Sequence, residues 1–406
     1  MSEFSYIAQN KDKNFNMKGS IEFFTEKEIQ KALDFHKSFK GFAETDLVQL
    51  KDSAKRLGLS NIYVKDESSR FGINSFKGLG AAWAMGNYIA EKLNIPIEEL
   101  PYERMISDEI REKLGKVTFA SCTDGNHGRG VAWVGQMLQQ EVKIFMPRGS
   151  GSDRVKNIEA LGAEVTVTDL NYDDTIRYVM DEADKNGWII VQDTSWEGYV
   201  DIPKWIMQGY SALVLEAYQQ IERDGLPKPT HAFLQAGVGA MAGGACGLIT
   251  NLCKEDMPTT VILEPNDAAA FYKSAVANDG KRHFVTGDMP TIMAGLACGE
   301  PGIIAWDVIS EFADGYISCP DWISANGMRL AANPVGNDKR FVSGESAGVS
   351  YGITNELMIN EDLKDVKEKI GLDENSVVLC ISTEGDTDVK AYQDIVWYGA
   401  YSKYQK

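Results

Sequence analysis

Eight short apolar runs, separated by helix-length amphipathic segments, restrict the fold more than any other feature of this sequence. The runs "NIYVKDE", "KVTFASC", "EVKIFMP", "EVTVTD", "WIIVQD", "HAFLQAG", "TTVILEP" and "SVVLCIS" are rich in β-branched residues and bounded by turn or polar residues, as strands are. Between them, segments such as 174–186 and 206–223 carry helical periodicity. Parallel strands covered on both faces read as continuous apolar runs and need crossover helices to join them. The alternation therefore predicts the α/β class, with open, mostly parallel sheets and covering helices.

A chain of 406 residues exceeds one ordinary core and predicts two or three domains, although no repeat, low-complexity segment or Pro/Gly/Ser linker marks a boundary. The formal net charge of −18 repels phosphate backbones and anionic lipid, so a small molecule is the expected partner rather than nucleic acid or membrane. One uncharged stretch, 232–253, is long enough to span a bilayer. It is interrupted by glycines and preceded by "PKPTH", which reads as a buried strand, tight loop and helix. The opening "MSEFSYIAQNKDKNF" lacks the basic and apolar regions of a secretory signal, so a cytoplasmic location is expected. The six cysteines form no CxxC pair and the four histidines no HExxH, so neither a disulfide framework nor a catalytic metal is predicted.

Four stretches, "SCTDGNHG", "VQDTSWEG", "LQAGVGAMAGG" and "ISTEGDTD", place glycines and polar groups directly after an apolar run. Ligands of open α/β sheets sit at the carboxyl ends of strands, so these stretches are expected to line one cleft. The glycines of "GVGAMAGG", 237–244, let amides converge on an anion at a helix N-terminus, which suits a phosphate. Their spacing is one residue longer than the dinucleotide fingerprint, and no lysine stands in the Walker position. In "SCTDGNHGRGVAWVG", Asn126 and the amides around Gly125 also suit an anion, and His127 is either a base or a structural residue. Asp124 is out of place on such a loop unless it serves a positive group or moves a proton. The hydroxyls of Ser382 and Thr383 end a buried strand, where they either meet a ligand or cap a helix. Lys77, in "NSFKGLGAAWA", is either an ordinary lysine or a nucleophile.

In this order, "NSFKGLGAA", "CTDGNHGRGVA", "GVGAMAGG" and "STEGD" resemble the motifs of the pyridoxal-phosphate enzymes of fold type II, the tryptophan synthase β-subunit class, over roughly residues 40–390. The resemblance implies pyridoxal 5'-phosphate as cofactor and Lys77 as the Schiff-base lysine. It implies Asn126 against the ring oxygen, Gly237, Val238, Gly239, Ala240 and Met241 around the phosphate, and Thr383 at the pyridine nitrogen with Ser382 as the reserve. The substrate would meet Ser75 and the Thr123, Asp124, Gly125 and His127 stretch, with Glu345 in "SGESAG" orienting cofactor or substrate. A large domain from 1–83 and 197–406, a small domain from 84–196, a cleft between them and a homodimer are likewise implied.

Serine and threonine dehydratases have a small residue where this chain has Asp124 and a glutamine where it has Arg129. The added carboxylate suggests a substrate with an extra ammonium. Long stretches including "KDESSRFGINSFK", "VQDTSWEGY", "IPKWIMQGY" and "TIMAGLACGEP" resemble the diaminopropionate ammonia-lyase family. That resemblance implies α,β-elimination of D- and L-2,3-diaminopropionate to pyruvate and two ammonia, the alternative being a serine/threonine dehydratase-type deaminase of the same fold. Accepting both hands requires a base on each face of the α-carbon. By resemblance these are Asp124 for the D- and Asp193 for the L-enantiomer, with Lys77 assisting on its own face. A carboxylate works as a base near neutral pH only when burial raises its pKa. Lys65 and Asp66 in "VKDESS" read as a salt-bridged strand end.

Overall fold

The computed structural model describes residues 3–9, 13, 15, 21–123 and 125–404. Its strands are β1 (Ser5–Ala8), β2 (Leu47–Gln49), β3 (Asn61–Asp66), β4 (Thr118–Cys122), β5 (Glu141–Met146), β6 (Glu164–Val167), β7 (Ile189–Ile190), β8 (His231–Gln235), β9 (Thr259–Pro265), β10 (Gly315–Cys319) and β11 (Val377–Ser382). They form two sheets. The larger runs β1-β10-β9-β8-β11-β3-β2, and the smaller runs β6-β5-β4-β7. All pairings are parallel except at the two edges of the larger sheet, where β1 and β2 run antiparallel to their neighbours. The α/β architecture expected from the apolar runs is the one observed.

Every residue of β8 and β11 is buried, because helices cover both faces of the larger sheet, and this is why these strands read as unbroken apolar runs. Three strands carry no such signal. The edge strands β1 and β2 are only three or four residues long and partly exposed, and β10, "GYISC", is interrupted by glycine and serine. The stretch 232–253 divides into most of β8, a glycine loop and the helix Ala240–Cys253. Among the described residues, no helix is long and apolar enough to cross a membrane.

The helix Lys77–Leu93 joins the two halves of the structure, packing against the helices Asn126–Leu138 and Asp201–Arg223. Glycines permit this closeness. A Cβ on Gly130 would stand 3.0 Å from the Lys77 carbonyl oxygen, and one on Gly209 would stand 2.6 Å from that of Leu79. Asp201–Arg223 begins five residues earlier than its periodicity indicates, with Pro203 in the first turn, where a missing N–H leaves no hydrogen bond unmade.

The expected Lys65–Asp66 salt bridge does not form, because alternate residues of β3 face opposite sides of the sheet. Lys65 instead lies fully buried against Glu216 at 2.6 Å, in a cluster where Arg70 pairs with both Glu67 and Glu216. Asp66 accepts the Ser68 amide. Four charges inside the protein are tolerable here because each has an opposite partner and further hydrogen bonds.

Candidate active site

The carboxyl ends of β4 and β7 in the smaller sheet and of β8 and β11 in the larger one open on a common cleft. Lys77 is the first residue of its helix, and its ammonium donates to the Asp193 carboxylate, which follows β7. Its Nζ also lies 5.2 Å from the Phe76 ring centre and 5.3 Å from that of Tyr210, so aromatic faces supply much of its surroundings. The Ser75 hydroxyl accepts the Lys77 amide and so helps start the helix. Ser75 also forms an isolated bridge with Glu384, which ties the lysine segment to the end of β11.

Asp193 is 3% exposed. The Tyr210 hydroxyl donates to it at 3.3 Å, and His127 Nδ1 lies 3.7 Å away. The other nitrogen of His127 donates to the Val191 carbonyl, which leaves Nδ1 turned toward Asp193. Burial by itself would raise the Asp193 carboxyl, but the charges of His127 and Lys77 outweigh it and hold the pKa at about 2. A raised pKa is what a carboxylate base near neutral pH requires; the structure shows the burial but, with Lys77 charged, the opposite shift.

The glycine loop continues β8 into the helix Ala240–Cys253, whose first amides have no acceptor within the helix. Gly237, Val238, Gly239, Ala240 and Met241 line the cleft together with Lys77, Asn126 and Thr383. Side chains are excluded at two of these positions. A Cβ on Gly237 would lie 2.9 Å from the Gly295 carbonyl oxygen, while Gly239 has φ +90° and would drive a Cβ to 2.3 Å from Phe271. Opposite the loop, the Thr383 hydroxyl faces the cleft and accepts from Gln235 Nε2 at 3.3 Å. Gln235 Oε1, also buried in the cleft wall, has no hydrogen-bond partner among the described residues. Ser382 points to the other side of the strand, where its hydroxyl bonds Ser343.

Asn126 donates to the Glu384 carboxylate, whose second oxygen accepts the Ser346 amide. In the loop before it, the Thr123 amide already bonds the Phe145 carbonyl and the Gly125 amide bonds the Thr123 hydroxyl. Among the described residues of the loop those two amides are engaged, and the helix that starts at Asn126 turns its N-terminal end toward an anion. Asp124 lies outside the described residues. Glu345 is buried, pairs with Arg154 at 2.8 Å, and lines an outer cavity rather than the cleft itself.

Four further cleft residues escaped the sequence reading. Glu384 stands directly beside Thr383, and a carboxylate at the end of an apolar strand was a usable signal. Gln235, a polar carboxamide at the end of β8, offered a comparable one. Ser346 and Tyr210 offered none, since Tyr210 lies mid-helix in a stretch whose periodicity reads as core and meets Asp193 only through tertiary packing.

Residues 39–382 match the family described as pyridoxal-phosphate dependent enzyme. The chain is 48% identical over 368 residues to a diaminopropionate ammonia-lyase of Salmonella typhimurium, covering 90% of this chain and 91% of that one. It is 46% identical over 402 residues to the diaminopropionate ammonia-lyase of Escherichia coli strain K12, covering 99% of both. The crystal structure of a holo diaminopropionate ammonia-lyase from Escherichia coli superposes with a TM-score of 0.90 at 44% identity, covering 98% of each chain.

Proposed function

We propose that this chain, which belongs to the pyridoxal-phosphate dependent enzyme family and within it to the diaminopropionate ammonia-lyases, converts D- and L-2,3-diaminopropionate and one water to pyruvate and two ammonia. The observation that carries this reading is the convergence of Lys77, Asn126, the 237–241 loop and Thr383 on one cleft, with the buried Asp193 carboxylate paired to the lysine.

The residues fit pyridoxal phosphate. The loop is bare of side chains where Gly237 and Gly239 stand and leads into a helix N-terminus, as a phosphate requires. Thr383 would take the ring nitrogen, Asn126 the ring oxygen and Lys77 the aldehyde carbon. Bound there, the cofactor supplies an electron sink for charge that develops at the substrate α-carbon.

The chain's own groups hold and move protons around that carbon. Asp193 would take the α-proton of the L-enantiomer and Asp124 that of the D-enantiomer, one from each face. Paired with the Lys77 ammonium, Asp193 is a weak base. Any change that discharges Lys77 removes one of the two opposing charges, the other being His127, and moves the carboxyl up from where the pair holds it. The amides of Asn126 and His127 would hold the substrate carboxylate, with Ser75, Thr123 and Gly125 shaping the pocket around it. The departing β-amine needs a proton, because an unprotonated amine is a poor leaving group.

We further propose that residues 84–196 act as a small domain that closes over the substrate, and that the protein works as a cytoplasmic homodimer. All four strands of the smaller sheet fall between 118 and 190, and six cysteines outside any disulfide suit a reducing compartment. The test is pyruvate release by cofactor-loaded protein from each diaminopropionate enantiomer, with L-serine and L-threonine alongside. Turnover of both enantiomers with little dehydration supports the reading. A preference for serine or threonine would keep the fold and Lys77 and replace the substrate.

A further inference from the structure

Glu345 is 3% exposed, and its Oε2 has no hydrogen-bond partner among the described residues. The other oxygen accepts from Arg154 at 2.8 Å. A carboxylate oxygen shut away from water without a donor costs free energy until a donor arrives. Burial, and after it the neighbouring Glu384, push the Glu345 carboxyl up to about 8 against the pull of Arg154. One guanidinium therefore does not satisfy this group.

Its position is equally specific. Glu345 faces an outer cavity of about 600 Å³ between the loop that follows β5 and the helix Val389–Val396. The next residue, Ser346, lines the cofactor cleft instead. Ala294 and Gly295 divide in the same way between outer cavity and cleft. Glu345 thus stands where the outer cavity meets the cleft.

We propose that Glu345 is a specificity-determining residue whose unpartnered oxygen receives the distal ammonium of the substrate at the mouth of the cofactor cleft. The inference rests on the diaminopropionate reading and deepens it. Diaminopropionate and serine differ at the β-carbon by an ammonium against a hydroxyl of similar size, so the shape of a pocket separates them poorly. Charge separates them well, since a hydrogen bond from a cation to a buried carboxylate is roughly twice as strong as one between neutral groups. The ammonium supplies the second cationic donor that Glu345 lacks beside Arg154 and draws its carboxyl, raised to about 8 without it, into the ionised form, whereas a hydroxyl does neither.

The experiment compares two ligands on Glu345→Gln: the KM for D-2,3-diaminopropionate and the inhibition constant of D-serine against it. Visible absorbance of the bound cofactor checks that the variant is loaded. The expected result is a rise of at least tenfold in KM for diaminopropionate, with the D-serine constant changing less than threefold. If Glu345 only ties Arg154 at the wall of the outer cavity, both constants shift together, and that outcome or an unchanged KM overturns the proposal. Should Glu345→Gln fail to load cofactor, Glu345→Asp carries the same comparison, because it withdraws the oxygens by one methylene while keeping the charge. Failure of the unaltered protein to turn over diaminopropionate removes the reading beneath the proposal, whereas the ratio between the two ligands removes only the role of Glu345.

Discussion

The Lys77 ammonium donates to the Asp193 carboxylate across the cleft, joining the first residue of a helix that follows the larger sheet to a loop that follows the smaller one. The pair sets an amine and a carboxylate side by side, and the charge of the lysine helps to hold the carboxyl pKa down.

Lys77→Ala removes the amine and leaves the glycine loop and Thr383 in place. Turnover should fall by at least about 10³-fold, the scale on which enzymes depend on a positioned proton-transfer group, while cofactor still binds without a covalent link. Steady-state rates, and retention of cofactor through denaturing gel filtration after borohydride reduction, check this. Full turnover in the variant would mean that Lys77 has been misassigned.

The gathering of these stretches around one cleft was legible in the sequence because turn chemistry writes it locally. Glycines are obligatory where the loop runs at positive φ or against a carbonyl, and they follow an apolar run whose burial the sequence also displays. The Thr383–Ser382 alternative was resolvable as well, since successive strand residues face opposite sides and Ser382 is the last residue of β11. What could not be read is long-range. The Tyr210 hydroxyl reaches Asp193, Asn126 meets Glu384 from 258 positions away, and Arg154 meets Glu345 from 191, contacts fixed by how helices pack rather than by any local pattern. The lowered pKa of Asp193 belongs to the same class, since no spacing announces that His127 and a lysine 116 positions earlier would together hold it down.

The glycine loop gives a prediction independent of chemistry. Gly239→Ala forces a side chain at φ +90° and toward Phe271, a strain of order 1–3 kcal/mol, so cofactor affinity should weaken roughly 10-fold or more. Equilibrium dialysis against pyridoxal phosphate measures it. Unaltered affinity would show that the loop does not hold the phosphate.

Acid stability should carry the signature of Asp193. Its carboxyl lies at about 2 in the folded chain against an ordinary 3.8, so the contribution is fully present above about pH 4 and is lost as the pH falls through 2. At 1.36 kcal/mol per pKa unit this amounts to roughly 2 kcal/mol. Asp193→Asn cannot titrate there. Between pH 5 and pH 2, urea unfolding of the unaltered protein should therefore lose about 2 kcal/mol more than that of the variant, and parallel curves would mean that the ion pair contributes nothing.

The two-base reading makes opposite demands on two aspartates. A planar α-carbon can lose its proton to either face, and a residue on one side serves one enantiomer of the substrate. Asp124→Asn should lower kcat for D-2,3-diaminopropionate by about 10²-fold or more while sparing the L-enantiomer, and Asp193→Asn should do the reverse, within the usual range for loss of a general base. The Asp193 variant has a complication, because it also strips Lys77 of its partner and so touches both reactions. The comparison is therefore the ratio of D to L rates in each variant, which cancels a loss common to both enantiomers. Ratios that move in opposite directions support one base per face. Ratios unchanged in both variants would leave Lys77 as the base for both hands and reduce the aspartates to holding charge.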